Sequence, residues 1–119
     1  IVLVTGVQTC ALPISDIFST STAQSTINDK WNPVPGICPE APSSKGYKGG
    51  FKVQLMKKDF GLAVDAAREV GAKMVLGEKG LECYEEATKD PRCFDLDSRV
   101  VFRYIGGDEN WALKQEKEE

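Results

Sequence analysis

The sequence contains no histidine among its 119 residues. That absence excludes Ser/His and Cys/His nucleophile pairs and every zinc site that needs an imidazole. No stretch approaches the roughly 18 apolar residues of a membrane-spanning helix. Nor is there an excess of positive charge. Fifteen basic against 18 acidic side chains leave a net −3, which argues against a nucleic-acid binder. The four cysteines, Cys10, Cys38, Cys83 and Cys93, form no C-x-x-C pair, so neither a zinc ribbon nor a thioredoxin-like motif is written here. They read as buried or idle thiols in a reducing compartment. Asp90, Asp95 and Asp97 lack EF-hand spacing and its central glycine, so no metal is expected. The length allows one ordinary domain.

Residues 1–14, IVLVTGVQTCALPI, resemble a first nucleotide-binding strand reaching Gly6. A phosphate cradle needs further glycines within a few residues, and the next is Gly36. Residues 4–14, VTGVQTCALPI, equal the translation of a common sequencing-adapter oligonucleotide. Residues 1–14 are therefore expected to be an adapter-derived artefact and are set aside from fold reasoning. The genuine protein would then be a truncated fragment.

Residues 15–28 are polar and rich in Ser and Thr, which favours a frayed helix end or a loop. Residues 31–44 hold four prolines in fourteen positions, so they form an extended loop with fixed φ angles. Gly46-Tyr47-Lys48-Gly49-Gly50 follows as a flexible turn. Residues 51–70 are the strongest periodic element, with Leu55, Met56, Leu62, Ala63, Ala66, Ala67 and Val70 as one inward stripe. Gly71 stops that helix as a C′ glycine. Gly61 inside it either admits something close to the backbone or is a tolerated cost of about 1 kcal/mol. Shorter helices are expected at 78–88, with Leu81, Tyr84 and Ala87 inward, and at 98–105, started by Asp97 or Ser98, with Val101, Tyr104 and Ile105 inward. Residues 108–119, with five acids and two lysines, read as a disordered acidic tail. Nothing reads as a confident strand, and the fold class expected is all-α.

Lys45, Lys48, Lys52, Lys57 and Lys58 fall within fourteen residues without an acid until Asp59. They are either a solvated cationic surface or, with Gly49 and Gly50 before a helix, a site for an anionic ligand. Lys58 lies on the side of Leu55 and Leu62, at i−3 and i+4. There its amine either snorkels or is aimed at a ligand held by another domain.

Three segments in order are similar to the C-terminal helical domain of the 3-hydroxyisobutyrate dehydrogenases, within the β-hydroxyacid dehydrogenase family. They are Asn32-Pro33-Val34-Pro35-Gly36, Tyr47-Lys48-Gly49-Gly50-Phe51 and Lys58-Asp59-Phe60-Gly61-Leu62-Ala63-Val64-Asp65. The last matches K-D-L-G-L-A-x-D except at Phe60, and the likeness covers roughly residues 16–106. It implies a domain of the 6-phosphogluconate-dehydrogenase-like type with a long Pro/Gly-rich loop, over residues 15–107. Such a domain closes over NAD bound to a separate Rossmann domain and helps form a dimer. It implies that Lys58 binds the cofactor and that Phe51 borders the substrate. The family's G-x-G-x-x-G, S-G-G and G-x-x-G-x-G-x-x-x-K-x-x-x-N motifs are absent, so no catalytic residue is carried over, and the piece is expected to be inactive alone. The implied parent oxidises 3-hydroxyisobutyrate to methylmalonate semialdehyde in valine catabolism, as a homo-oligomer in the mitochondrial matrix or a bacterial cytoplasm. Its partners would be a small hydroxy acid and the cofactor, with no nucleic acid, membrane or metal. A sister enzyme acting on tartronate semialdehyde, glyoxylate or 6-phosphogluconate, and a non-enzymatic helical dimerisation module, are the alternatives.

Overall fold

A computed structural model describes residues 11–111. Among them the regular elements are all helical. Helices α1 (Ala11–Ser19), α2 (Thr26–Lys30), α3 (Val53–Glu69), α4 (Gly77–Lys89) and α5 (Val101–Tyr104) are joined by loops that include two 3₁₀ turns, Pro42–Lys45 and Ser98–Val100. The only extended pairing among the described residues is a lone antiparallel bridge between Lys52 and Asp97.

Helix α3 ends as its composition dictates. Gly71 takes φ +69°, its N–H donates to Arg68 O, and Ala72 N–H donates to Ala67 O, which is a Schellman closure. Helices α3 and α4 then pack as an antiparallel hairpin. Arg68 reaches Glu78 at 2.9 Å, and the Phe60 and Tyr84 rings lie 5.8 Å apart. Gly80 makes room for that packing, because a Cβ there would stand 2.8 Å from Phe60 Cζ. The one residue departing from the K-D-L-G-L-A-x-D pattern is thus seated over a glycine.

The core is Tyr47, Val53, Ala87, Cys93 and Val100, with Tyr84, Leu96 and Tyr104 against it. Tyr47 overturns the expectation of a flexible turn at 46–50. Its ring is fully buried, its hydroxyl donates to Pro33 O at 3.0 Å, and the Arg103 guanidinium sits 5.1 Å from the ring centroid. The proline-rich loop is held by its own side chains: Ser43 Oγ donates to Asn32 O at 2.6 Å and Ser44 Oγ to Cys38 O at 2.7 Å.

The inward face of α3 also differs from the expected stripe. Val53 and Val64 are buried, whereas Leu55, Leu62, Ala63, Ala66 and Val70 are exposed. Two apolar faces coexist on this helix, and periodicity alone ranks the larger side chains first. In the last helical region Val100 is buried and Ile105 is 67% exposed, because the chain enters through a 3₁₀ turn that shifts the facing residues by one or more positions. Residues 15–24 are not loop throughout. α1 runs from Ala11 to Ser19, so the boundary expected after Ile14 falls inside a continuous helix. Asn28 ties α1 to α2 by donating to Ser15 O at 3.0 Å and Ser19 Oγ at 2.9 Å. The expected disordered tail gives way at its start. Trp111 is buried and its indole N–H donates to Pro35 O at 2.8 Å, while Glu109 pairs with Arg103. The rest of the tail, and residues 1–10 of the adapter-like segment, lie outside the described residues.

Candidate cofactor-facing site

Lys58 stands about a turn and a half into α3, on the face that carries Leu55 and Leu62. Both leucines are exposed, Leu62 by 62%. The Lys58 ammonium is solvent-accessible and its Nζ lies 2.8 Å from Asp59 Oδ1, itself half exposed. Surface pairs of this kind are worth little in water, so the amine can exchange its partner at small cost. Phe51, two residues before α3, is 40% exposed. Its backbone is fixed at both ends: its N–H donates to Asp97 Oδ2 at 2.9 Å and its carbonyl accepts from Ser98 N at 2.7 Å.

The five clustered lysines do not make a free cationic field. Lys45 pairs with Glu40 at 2.8 Å, Lys52 with Asp95 at 2.5 Å and Lys58 with Asp59. Sequence order hid this, since Asp95 comes from the far side of α4. The amides at the head of α3 are also engaged, Val53 N with Leu96 O and Met56 N with Lys52 O. The alternative of a solvated, mostly paired surface describes the cluster better than a dedicated anion site.

Two cavities flank the described body, and neither is lined by Lys58 or Phe51. One, of about 500 Å³, lies between α1, α2 and the last described residues, against Ile14, Phe18, Ile27, Val34, Phe102 and Trp111. The other, of about 370 Å³, is bounded by Trp31, Ile37 and Cys38. The groups whose titration is displaced move away from neutrality. Burial pushes the Cys83 and Cys93 thiols and the Tyr47 and Tyr84 phenols up. Hydrogen bonds from Ser19, Gln24 and Asn28 hold Asp29 below the usual carboxylate range. None of these is poised as a general acid or base near pH 7. No group of three or more metal-ligating side chains occurs among the described residues.

Sequence reading missed Asp97 as more than a helix start and missed Gly80 altogether. A signal for Asp97 existed in its acid-before-turn position, but its bond to Phe51 spans 46 residues and no local pattern encodes that.

Comparison with known proteins supplies the frame for these residues. The family model described as NAD-binding of NADP-dependent 3-hydroxyisobutyrate dehydrogenase matches residues 10–105. That match overlaps the adapter-like segment by five residues. A probable mitochondrial 3-hydroxyisobutyrate dehydrogenase of Arabidopsis thaliana is 39% identical over 101 residues, covering 83% of this chain and 29% of that protein. One of Dictyostelium discoideum is 42% identical over 71 residues, covering 60% of this chain and 22% of that protein. The solved structure of Mycobacterium tuberculosis 3-hydroxyisobutyrate dehydrogenase with L-serine superposes with a TM-score of 0.71 at 32% identity, covering 79% of this chain and 32% of that one. The chain thus spans about a third or less of the length of these relatives. It belongs to the 3-hydroxyisobutyrate dehydrogenase family of nicotinamide-dependent β-hydroxyacid dehydrogenases.

Proposed function

We propose that this chain is the cofactor-covering helical domain of a dehydrogenase that oxidises 3-hydroxyisobutyrate to methylmalonate semialdehyde in valine catabolism. The observation that carries the reading is the outer face of α3. A motif-matching lysine lies there among exposed apolar residues, with its amine accessible and paired only to its sequence neighbour among the described residues. In this reading the Lys58 ammonium donates to a cofactor oxygen, exchanging Asp59 for a charge-assisted bond. Phe51 walls the substrate side and excludes water, and Leu55 and Leu62 flank Lys58 on the same exposed face. Hydride acceptance is the chemistry that a bound nicotinamide would supply. The residues present suit contact with such a group from one side only, since the described loops hold no glycine-rich phosphate cradle.

The proton-transferring lysine and the pyrophosphate site belong to the rest of the enzyme, so the 119 residues alone are inactive. Residues 1–14 are foreign to that enzyme, and sequencing the gene upstream of Ser15 from genomic DNA tests this. The whole enzyme works as a homo-oligomer, in the mitochondrial matrix or a bacterial cytoplasm. Lys58→Ala in the whole enzyme should lower kcat/KM by on the order of 5- to 150-fold, the scale of a lost charged hydrogen bond of roughly 1–3 kcal/mol. Unchanged kinetics return Lys58 to the surface lysines. The isolated chain should show no thermal shift with millimolar NAD or NADP, and a shift of several degrees would contradict the one-sided contact. Activity on tartronate semialdehyde, glyoxylate or 6-phosphogluconate instead would move the enzyme to a sister branch. The same exposed stripe favours one non-enzymatic reading, a helical dimerisation module. Self-association of the chain, with no dehydrogenase activity in any extended form, would support it.

A further inference from the structure

The head of α3 is fastened by one carboxylate. The Asp97 side chain has no solvent exposure, and its two oxygens accept four hydrogen bonds. Oδ2 accepts from Phe51 N at 2.9 Å and from Arg99 Nη1 at 2.9 Å, while Oδ1 accepts from Arg99 N at 3.0 Å and from the same Nη1 at 2.9 Å. The surrounding backbone closes the clasp. Asp97 N donates to Tyr47 O at 2.8 Å, Ser98 N to Phe51 O, and Val53 N to Leu96 O at 2.8 Å. Gly50, at φ +75°, lies so close that a Cβ on it would collide with Asp97 Oδ2, and Pro42 Cγ would stand 2.9 Å away on another side. Only glycine passes between proline and carboxylate.

We propose that Asp97 is a positioning residue for the site on α3. By holding the Phe51 amide it sets where the helix begins, and so the direction in which Phe51 and Lys58 are presented. This rests on the reading above that Phe51 and Lys58 meet substrate and cofactor. The requirement for a carboxylate follows from the two backbone amides, which donate one to each oxygen. Asparagine offers one oxygen and one NH₂, so either the Phe51 or the Arg99 amide would face another donor. A buried donor left without a partner is costly. Arg99 supplies the countercharge, and is steadied by donating Nε–H to Trp31 O at 2.8 Å with its guanidinium 5.3 Å from the Trp31 ring centroid. Arg99 Nη1 shares both carboxylate oxygens with the two amides, so a control for lost stability must lie outside the clasp. Trp111, buried and hydrogen-bonded to Pro35 O, supplies one.

The test compares Asp97→Asn with Trp111→Ala. In the whole enzyme, Asp97→Asn should raise KM for the hydroxy acid by about ten-fold, the scale of one lost buried hydrogen bond, with a smaller change in kcat. In the 119-residue chain it should speed amide hydrogen exchange at Phe51 by a similar factor relative to Val64, in the middle of α3. Trp111→Ala, outside the clasp, should lower Tm yet leave KM, kcat and Phe51 exchange near their starting values. Equal effects of the two variants, or an Asp97→Asn enzyme with unchanged KM and slow Phe51 exchange, would overturn the proposal and reduce Asp97 to a cap for the Ser98–Val100 turn. Should Asp97→Asn fail to fold, Gly50→Ala displaces the same carboxylate from the other side. It must reproduce the KM rise and the faster exchange for the proposal to stand. If the unaltered enzyme oxidises no hydroxy acid, the functional reading fails, while Phe51 exchange still decides whether Asp97 holds the head of α3.

Discussion

The two sides of α3 obey different rules. The inner side ends in side chains this chain covers by itself: Val53 against Tyr47, Cys93 and Val100, and Val64 lower down. The outer side, together with the α3–α4 link, exposes Leu55, Leu62, Val70, Met74, Val75 and Leu76, with Val75 85% exposed. Scattered exposed apolar residues are ordinary, but a helix-length stripe leading into an apolar link is not. The inner side is a folding surface, and the outer one is the surface proposed above to meet the cofactor. A single amphipathicity analysis merges them.

Large-to-small substitutions should break the two sides apart most clearly. Tyr47→Ala removes a fully buried ring, its bond to Pro33 and its contact with Arg103. The loss should be about 3–5 kcal/mol in urea unfolding of the chain. Leu62→Ala, on the exposed side, should stay within about 0.5 kcal/mol. Equal losses would mean that the outer stripe is buried in solution.

The next effect tests how the hairpin is fitted. Gly80→Ala drives a methyl into the Phe60 ring and should cost roughly 1–3 kcal/mol. Phe60→Leu on that background should recover most of the loss, so the double variant should lose less than the two single variants together, a coupling read by a double-mutant cycle. Additive losses would deny the ring its seat.

A smaller effect is set by pH. Burial raises the Tyr47 phenol, so its folded form holds the proton longer than the unfolded chain does. The associated stability is fully present below the ordinary phenol value of about 10 and is lost as pH rises past it. Tyr47→Phe forfeits the hydroxyl's bond to Pro33, about 1 kcal/mol at pH 7, yet its Tm should fall less between pH 9 and 11 than that of the unaltered chain (about the onset of phenol ionisation). An identical slope in both would place the alkaline sensitivity elsewhere, Tyr84 being the other phenol raised by burial.

Much of this was legible in the residues. The C′ glycine at 71, the helices near 53–69 and 77–89, and the inward Ala87 follow from period and punctuation, which are local. What was not legible depends on distant chain. Tyr47 sits between glycines and resembles turn residue, but it becomes the centre of the core because Pro33 and Arg103 arrive beside it. The lysine cluster looked free because its acids, Glu40 and Asp95, come from outside the run. Lys58 and Phe51 came from family likeness, and the pin behind Phe51 is a contact across 46 residues.

Gly61 offers the smallest and most discriminating measurement. Its interior position costs helix stability, and a close neighbour could have justified it. A Cβ there would meet Leu81 Cδ1 at 3.9 Å, ordinary contact distance, so α4 does not require the glycine. In the isolated chain Gly61→Ala should therefore gain about 0.5–1 kcal/mol, measured by urea unfolding. The same substitution in the whole enzyme separates the two sides of α3 once more. Gly61 faces α4, on the inner side, so kcat/KM should hold while Tm rises. A fall in kcat/KM alongside that rise would extend the proposed cofactor-facing surface further round the helix than Lys58 and Leu62.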